Sequence, residues 1–420
     1  MSIGSKILKS LAERRFLGDV CWKIKNLFSK ARYAIDILLS IPARRWISSH
    51  NKVQSNKVLF MTYNNDYICN PKYICEEILR QDLPLELVWA SSEKKMMNPD
   101  QYPEKVRLVC RNSYEFFREM ASAKVWVDNA VCFPWNPIPK KKEQFYLQTW
   151  HGSMGLKRIG KDDVKDKRWL RAAKKENSWT NVCISNSSFE TNVYRDSHWP
   201  DVPILEFGHA RNDILFSEKE KFASIRQKVL DYYQIPSHKK IVMYGPTFRD
   251  DSGLKYYTMD YIRLLDTLED VFGGEWVLLN RFHFKTKRLN PAVILDPRII
   301  PATNYPDMQE LMVAADLGIT DYSSWICDFV LTGKPAFIYA ADLENYNQER
   351  GFYYPLTSTP FAIAQNNDQM EKNLRNFSME KYLCDRETFL KARGCVEDGH
   401  AAERIVEIIK EQCGLTKNSH

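Results

Sequence analysis

The stretch KVLFMTYNNDYICNPKYICEEILRQDLPLELVWASS, residues 57–92, decides the fold. KVLFMTY (57–63) is a short apolar run and reads as a buried strand. NPKYICEEILRQ (70–81) reads as a helix, and LELVWASS (85–92) as a second strand. Strand, helix and strand in this order predict a parallel βαβ unit. The pattern continues outward. VRLVC (106–110) is a strand, SYEFFREMASA (113–123) a helix and KVWVDNA (124–130) a strand. FYLQTW (145–150), NVCISN (181–186) and PILEFGHA (203–210) extend the series. After a helical stretch near 217–233, a second series begins. KKIVMYGPTFRD (239–250) is a strand ending in a loop, YIRLLDTLEDVF (261–272) a helix and EWVLLNRFH (275–283) a strand. MQELMVAADLGITD (308–321) is a helix feeding a strand, WICDFVLTG (325–333) a helix and PAFIYA (335–340) a strand. GHAAERIVEIIKEQC (399–413) is the last helix. The expectation is an α/β protein with two Rossmann-like domains, 57–215 and 216–420, facing across a cleft.

Composition narrows the class. The chain has 420 residues, and 44% of them are hydrophobic, so large-scale disorder is excluded and more than one domain is expected. The cysteines are scattered without CxxC spacing, which argues against a structural zinc site and for reduced thiols. No run reaches the roughly 18 apolar residues of a membrane span. The start lacks the apolar core and cleavage pattern of a signal peptide, so the protein is expected on the cytoplasmic side.

The charge is uneven. Residues 1–57 hold 12 Lys and Arg against 3 Asp and Glu, a net +9, while the whole chain is +7. Leu17, Val20, Ile24, Leu27, Phe28, Ala31, Ile35 and Leu38 recur at steps of three and four, with Lys23, Lys25, Lys30 and Arg32 between them and Trp22 nearby. Residues 1–56 are therefore expected to form a basic amphipathic helical segment suited to an anionic membrane surface. A helix packed on the body is the alternative. No basic stripe with interleaved aromatics continues into the body, which argues against nucleic acid.

In open α/β sheets, ligands sit beyond the carboxyl ends of the strands. Chemically loaded residues gather there: His151 after FYLQTW, Thr247 and Arg249 after IVMYG, Arg281 and His283 after WVLLN, and Asp321 to Ser324 after DLGIT. QTWHGSMGLKRIGKD (148–162) is too polar and glycine-rich for a core strand. Its Gly152 and Gly155 would let backbone approach a ligand, and a neutral His151 would accept a proton. Ser323 and Ser324 stand where a helix begins, either as plain caps or as an anion site. Arg249 would fork a diphosphate, and Asp328 would accept from ribose hydroxyls. No metal-ligand cluster is evident; Asp162 and Asp163 lie among lysines.

Several segments together resemble one family. QTWHGSMGLKRIGKD, VCISNSSFETNVY, FGHARNDILF, MYGPTFRD, NRFH, ITDYSSWICDFVLTGKPAFIY, DLENYNQERGFY and DGHAAERI, over about residues 57–411, are similar to the CDP-glycerol glycerophosphotransferases of teichoic acid and capsule synthesis. One departure is Phe284, where the family has proline after the second histidine. The resemblance implies a fold of the glycosyltransferase-B type. It implies His151 as catalytic base and His283 near the donor diphosphate. Substrate binding is then expected at Gly152, Lys157, Arg211, Thr247, Arg249, Arg281, Asp321, Ser323, Ser324 and Asp328. The implied reaction moves glycerol phosphate, or a related alditol phosphate, from a CDP-alditol to a lipid-linked or polymer acceptor. CDP-glycerol is the expected donor, with no further cofactor, and attachment is expected at the cytoplasmic face of the membrane. A nucleotide-sugar glycosyltransferase and a non-catalytic nucleotide-binding protein remain alternatives, because fold alone does not fix the electrophile.

Overall fold

The computed structural model describes Pro42 and residues 45–415, apart from 98, 137, 163–165, 248–254, 283–295 and 350, and for 347–349 it describes the backbone alone. Two parallel sheets organise these residues. The first has seven strands in the order β3-β2-β1-β4-β5-β6-β7. They are β1 (Gln54–Met61), β2 (Glu86–Ser91), β3 (Val106–Cys110), β4 (Ala123–Asp128), β5 (Phe145–Gln148), β6 (Val182–Ser185) and β7 (Ile204–Glu206). The second has six, in the order β10-β9-β8-β11-β12-β13. These are β8 (Lys240–Tyr244), β9 (Trp276–Asn280), β10 (Ile299–Pro301), β11 (Leu317–Thr320), β12 (Ala336–Tyr339) and β13 (Ala362–Ala364).

Why β1 is central follows from its side chains. Val58 and Phe60 join one hydrophobic cluster and Leu59 and Met61 another, so alternate residues feed opposite faces. The helix Cys69–Arg80 covers the first face through Tyr73, Ile74 and Ile78. The helix Tyr114–Ser122 covers the second through Phe116, Phe117 and Met120. In the second sheet the helix Tyr261–Phe272 starts on the Asp260 carboxylate, which accepts from the Arg263 N–H at 3.1 Å. Its Tyr261, Leu264, Leu265 and Leu268 pack on Val242, Tyr244, Leu278 and Ile319. Fully burying each such leucine contributes about 1.5–3 kcal/mol.

The final helix corrects the expected domain allocation. Ala401–Gln412 does not stay with the second sheet; its Ala402, Ile405, Val406 and Ile409 complete the core of the first, beside the helix Cys69–Arg80. Asp213, in the connection between the sheets, accepts from the N–H groups of Ala401 and Ala402 at 3.0 and 2.7 Å and fixes where that helix begins. The N-terminal expectation falls almost wholly outside the described residues. Its end is described: residues 45–50 are helical, Ile47 is buried against the first sheet, and β1 already begins at Gln54.

Candidate active site

Each sheet has one point where strand order reverses, β1/β4 in the first and β8/β11 in the second. Crevices form at such points. Tyr63 and Asn129 follow β1 and β4, and His151 follows the neighbouring β5. Gly245 to Thr247 follow β8, and Asp321 to Ser324 follow β11.

His151 is held by polar side chains at the strand ends. Trp150 has φ +49°, a left-handed conformation that costs a bulky residue of order 1–3 kcal/mol. Neighbouring groups hold that turn. The Gln148 Oε1 accepts from the Trp150 N–H at 2.8 Å. The buried Asn70 donates to the carbonyls of Thr149 and Trp150 at 3.1 and 3.2 Å. Thr149 donates through its N–H and its hydroxyl to the Asp128 carbonyl, at 2.8 and 3.0 Å. The turned chain brings His151 Nδ1 to 2.5 Å from the Asn129 carbonyl. A carbonyl only accepts, so Nδ1 carries the hydrogen and Nε2 keeps its lone pair. The Asn129 Oδ1 accepts from the Tyr63 N–H at 3.1 Å, and the Tyr63 ring lies 4.9 Å from the imidazole.

The protonation state agrees with this tautomer. Desolvation by the surrounding protein lowers the His151 pKa, the Asn129 hydrogen bond opposes the shift, and the Arg211 and Lys157 cations add to it. The residue itself keeps an exposed edge in the cleft. His151 is thus a neutral imidazole whose Nε2 keeps its lone pair, at an exposed position lining the cleft.

The glycines after His151 serve packing. A Cβ on Gly152 would stand 3.1 Å from the Trp150 ring, and one on Gly155 would stand 3.2 Å from Ser324 Cβ. Met154 and Leu156 are buried in the core of the second sheet. Cys327 donates from Sγ to the Met154 carbonyl at 3.4 Å, and Tyr353 donates from its N–H to the Leu156 carbonyl at 2.9 Å. The glycine-rich loop is also a strap from the first sheet into the second, with glycine where the two domains touch, and its Gly152, Gly155 and Lys157 line a small cavity together with Ser324.

Other expected site residues divide in two. Arg211 and Asp328 are each 3% exposed and are committed to one another. Arg211 Nε donates to Asp328 Oδ2 at 3.0 Å, Nη2 donates to Oδ1 at 3.3 Å, and Nη2 also donates to the Gly152 carbonyl. Asn212 Nδ2 donates to Asp328 Oδ1 at 3.0 Å. Arg211 and Asp328, expected at the substrate, pair with one another here and so join the two domains. Asp321, 3% exposed, accepts from the N–H groups of Thr247 and Tyr322 at 2.8 and 2.5 Å. It ties together the loops after β8 and β11.

The groups that remain half-exposed are Ser323, Ser324, Lys157 and Arg281. Ser324 occupies the cap position of Trp325–Phe329 without a side-chain cap hydrogen bond. Arg281 braces the loop after β10 by donating from Nη1 to the carbonyls of Ala302 and Tyr305, at 3.0 and 2.7 Å. Its charge couples to Tyr63 across the crevice. Lys157 bridges to Phe352 through backbone and lines a cavity of about 480 Å³ beside His151. Arg249 and His283 lie outside the described residues. Sequence reasoning missed Asn70, Asn129 and Tyr63 as parts of the site. Their place at or just beyond strand ends was the available signal.

Two parallel sheets meeting at their switch points define an α/β protein consistent with a glycosyltransferase-B-like fold. The chain belongs to the CDP-glycerol:poly(glycerophosphate) glycerophosphotransferase family, whose sequence profile matches residues 44–411. It is 29% identical to the teichoic acid poly(glycerol phosphate) polymerase of Staphylococcus epidermidis, over 86% of this chain and 51% of that protein. It is also 29% identical to the teichoic acid glycerol-phosphate transferase of Staphylococcus aureus, over 84% of this chain and 92% of that one. The chain spans about half the length of the S. epidermidis polymerase and of its Bacillus subtilis (strain 168) counterpart. The solved structure of the wall teichoic acid polymerase TagF superposes with a TM-score of 0.77 at 28% identity, covering 92% of this chain and 97% of that one. A TagF variant soaked with CDPG superposes at 0.78.

Proposed function

We propose that this chain transfers glycerol phosphate from CDP-glycerol to a hydroxyl of a lipid-linked or polymeric acceptor in teichoic acid synthesis. The observation that carries the reading is the neutral His151, its Nδ1 bonded to Asn129 and its Nε2 presented to the crevice, in a chain of this family. The acceptor hydroxyl gives its proton to Nε2 while its oxygen bonds to the β-phosphorus of the donor. The bridging bond from that phosphorus to the CMP oxygen breaks, and CMP leaves with the electron pair. Positioning and charge stabilisation do most of the work in phosphoryl transfer. Ser323, Ser324 and Arg281 stand on the opposite wall as donor contacts, with Arg249 and His283 assigned there on their sequence positions. The basic segment 1–56, with residues 1–57 at net +9, is proposed to hold the protein on the cytoplasmic face of an anionic membrane, near its acceptor.

The test is incubation of the full chain with CDP-glycerol and a lipid-linked acceptor, followed by mass spectrometry. The expected product is heavier by one glycerol phosphate and is accompanied by CMP. Turnover of UDP-sugars in place of CDP-glycerol would establish a glycosyltransferase instead.

A further inference from the structure

Beneath the turn that carries His151 lies a buried pair of acids that the proposed reaction leaves unused. The helix Lys167–Trp179 buries Ala172, Ala173 and Glu176. These recur at steps of three and four, so a glutamate stands on the helix's core-facing stripe. It meets the ends of two paired strands. Tyr146 and Gln148 project from one face of β5, and Gln148 is the register partner of Asp128 on β4. Tyr146, Gln148, Asp128 and Glu176 are all fully buried. Tyr146 Oη lies 3.0 Å from Asp128 Oδ2 and 2.7 Å from Glu176 Oε1. A phenol has one hydrogen and donates it to one of these oxygens, so the other contact needs a hydrogen that only a protonated carboxyl supplies. The remaining donors place it. Asp128 accepts from the N–H groups of Ala130 and Cys132 at 2.9 and 3.0 Å, and with the phenol it has the set of donors that suits an ionised carboxylate. Glu176 Oε1 receives an amide hydrogen from Gln148 Nε2 at 2.7 Å, while Glu176 Oε2 is buried with no partner. A bare oxygen costs a neutral carboxyl far less than a carboxylate. The hydrogens therefore run from the Glu176 carboxyl to Tyr146 and on to Asp128.

Among the described residues no cation is paired with either acid. Lys175, next to Glu176 in the chain, donates to the carbonyls of Pro134 and Asn136 at 3.1 and 3.3 Å. Arg111 acts on the Cys132 thiol and donates to Asn65 Oδ1 at 2.5 Å. Cys132, Cys183 and Tyr146 are the other titratable groups against the pair, and burial pushes all three well above their ordinary values, so they stay neutral. Burial, and after it the charge of Asp128, likewise holds the Glu176 carboxyl well above the usual carboxylate range.

Both supports of His151 hang on this group. The Asp128 carboxylate holds the backbone of Ala130 and Cys132, beside Asn129, whose carbonyl accepts from His151 Nδ1. Gln148 gives its amide hydrogens to Glu176 and to the Ala130 carbonyl, the latter at 3.0 Å, while its Oε1 accepts from the Trp150 N–H. We propose that Glu176 is a positioning residue for His151 and works as a neutral acid, its proton locking Tyr146, Asp128 and Gln148 into the arrangement that keeps His151 Nδ1 on Asn129. Without that proton two buried carboxylates would face a single phenol hydrogen, and both supports would loosen. The effect on turnover rests on the transferase reading above; the shared proton and its hold on the imidazole do not.

The experiment compares the full chain with Glu176→Gln, which keeps the position neutral and hydrogen-bonded, and with Glu176→Ala, which empties it. Should Glu176→Ala not fold, Glu176→Asp, which withdraws the carboxyl by a methylene, takes its place. The infrared difference between wild type and Glu176→Gln at pH 7 should contain the C=O band of a protonated carboxylic acid; its absence would overturn the proposal. A carboxyl whose folded pKa is raised makes stability fall as pH rises above the unfolded value of about 4.3 toward the folded one, and glutamine does not titrate. The melting temperature of Glu176→Gln relative to wild type should therefore climb from pH 5 to pH 8, and a constant difference would also overturn the proposal. In NMR of histidine-labelled protein, the His151 signal, identified by its loss in His151→Ala, should be displaced in Glu176→Ala and return toward its wild-type position in Glu176→Gln. CMP release from CDP-glycerol should show kcat at least about tenfold lower in Glu176→Ala, the scale of a slightly misplaced group. The KM for CDP-glycerol should be unchanged, and Glu176→Gln should recover most of the loss. An unmoved His151 signal in Glu176→Ala would overturn the positioning role. If the wild type releases no CMP, the transferase reading fails, and the infrared, melting and NMR results still decide the proton and its link to His151.

Discussion

The two switch points are built on opposite plans. At β1/β4 the polar groups are spent on one another and on backbone. Asn70, Gln148, Thr149 and Asn129 together hold a left-handed tryptophan and one imidazole. At β8/β11 the buried carboxylate of Asp321 joins the two loops, Ser323 and Ser324 are half-exposed, and Ser324 makes no side-chain cap hydrogen bond. The first plan suits a group that must stand in one orientation and one tautomer. The second suits a surface that receives a large anionic ligand through several modest contacts. Between them the Arg211–Asp328 pair and the 152–156 strap fix the spacing.

Breaking the connection should have the largest effect. Arg211→Ala leaves Asp328 buried with one partner fewer, and should cost about 3–5 kcal/mol in denaturant unfolding. A variant of near wild-type stability that lost donor affinity instead would return Arg211 to the substrate. Loosening the first switch point should matter less for stability. Asn70→Ala strands two carbonyls and the Arg211 N–H it now satisfies, and should cost about 1–3 kcal/mol. It should also lower kcat more than it raises the KM for CDP-glycerol, because the displaced group is the base. The smallest effect is expected at the second switch point. Ser324→Ala should weaken CDP-glycerol binding by about 0.5–1.5 kcal/mol in calorimetry and leave stability unchanged, since no cap is lost. A drop in melting temperature without a change in affinity would make Ser324 structural and the two plans alike.

What the sequence disclosed follows the same division. Strands such as VRLVC and helices such as Tyr261–Phe272 were legible because apolar periodicity is a local property. His151 was legible because it ends a strand in a polar, glycine-broken stretch. The strap's packing role was not legible because glycine beside histidine looks the same whether a ligand or another domain comes close. The Arg211–Asp328 pairing was not legible because the two residues stand 117 positions apart. The final helix has an apolar stripe that names no sheet, so its return to the first was invisible. Asn70, Asn129 and Tyr63 escaped because a polar side chain holding backbone has no pattern of its own.

The central claim is that a neutral His151 takes the acceptor's proton. Its most direct test is kcat/KM for CMP release from CDP-glycerol, measured from pH 5.5 to 8 with the wild type and His151→Ala. Burial lowers the His151 pKa, so the deprotonated form persists below the ordinary imidazole value of about 6.5, and activity is lost only as pH falls further toward the lowered pKa. The wild-type profile should therefore show no acidic fall centred near 6.5. His151→Ala should be at least about 10²-fold slower in kcat at every pH, with donor affinity little changed. Near-normal turnover by His151→Ala would contradict the account.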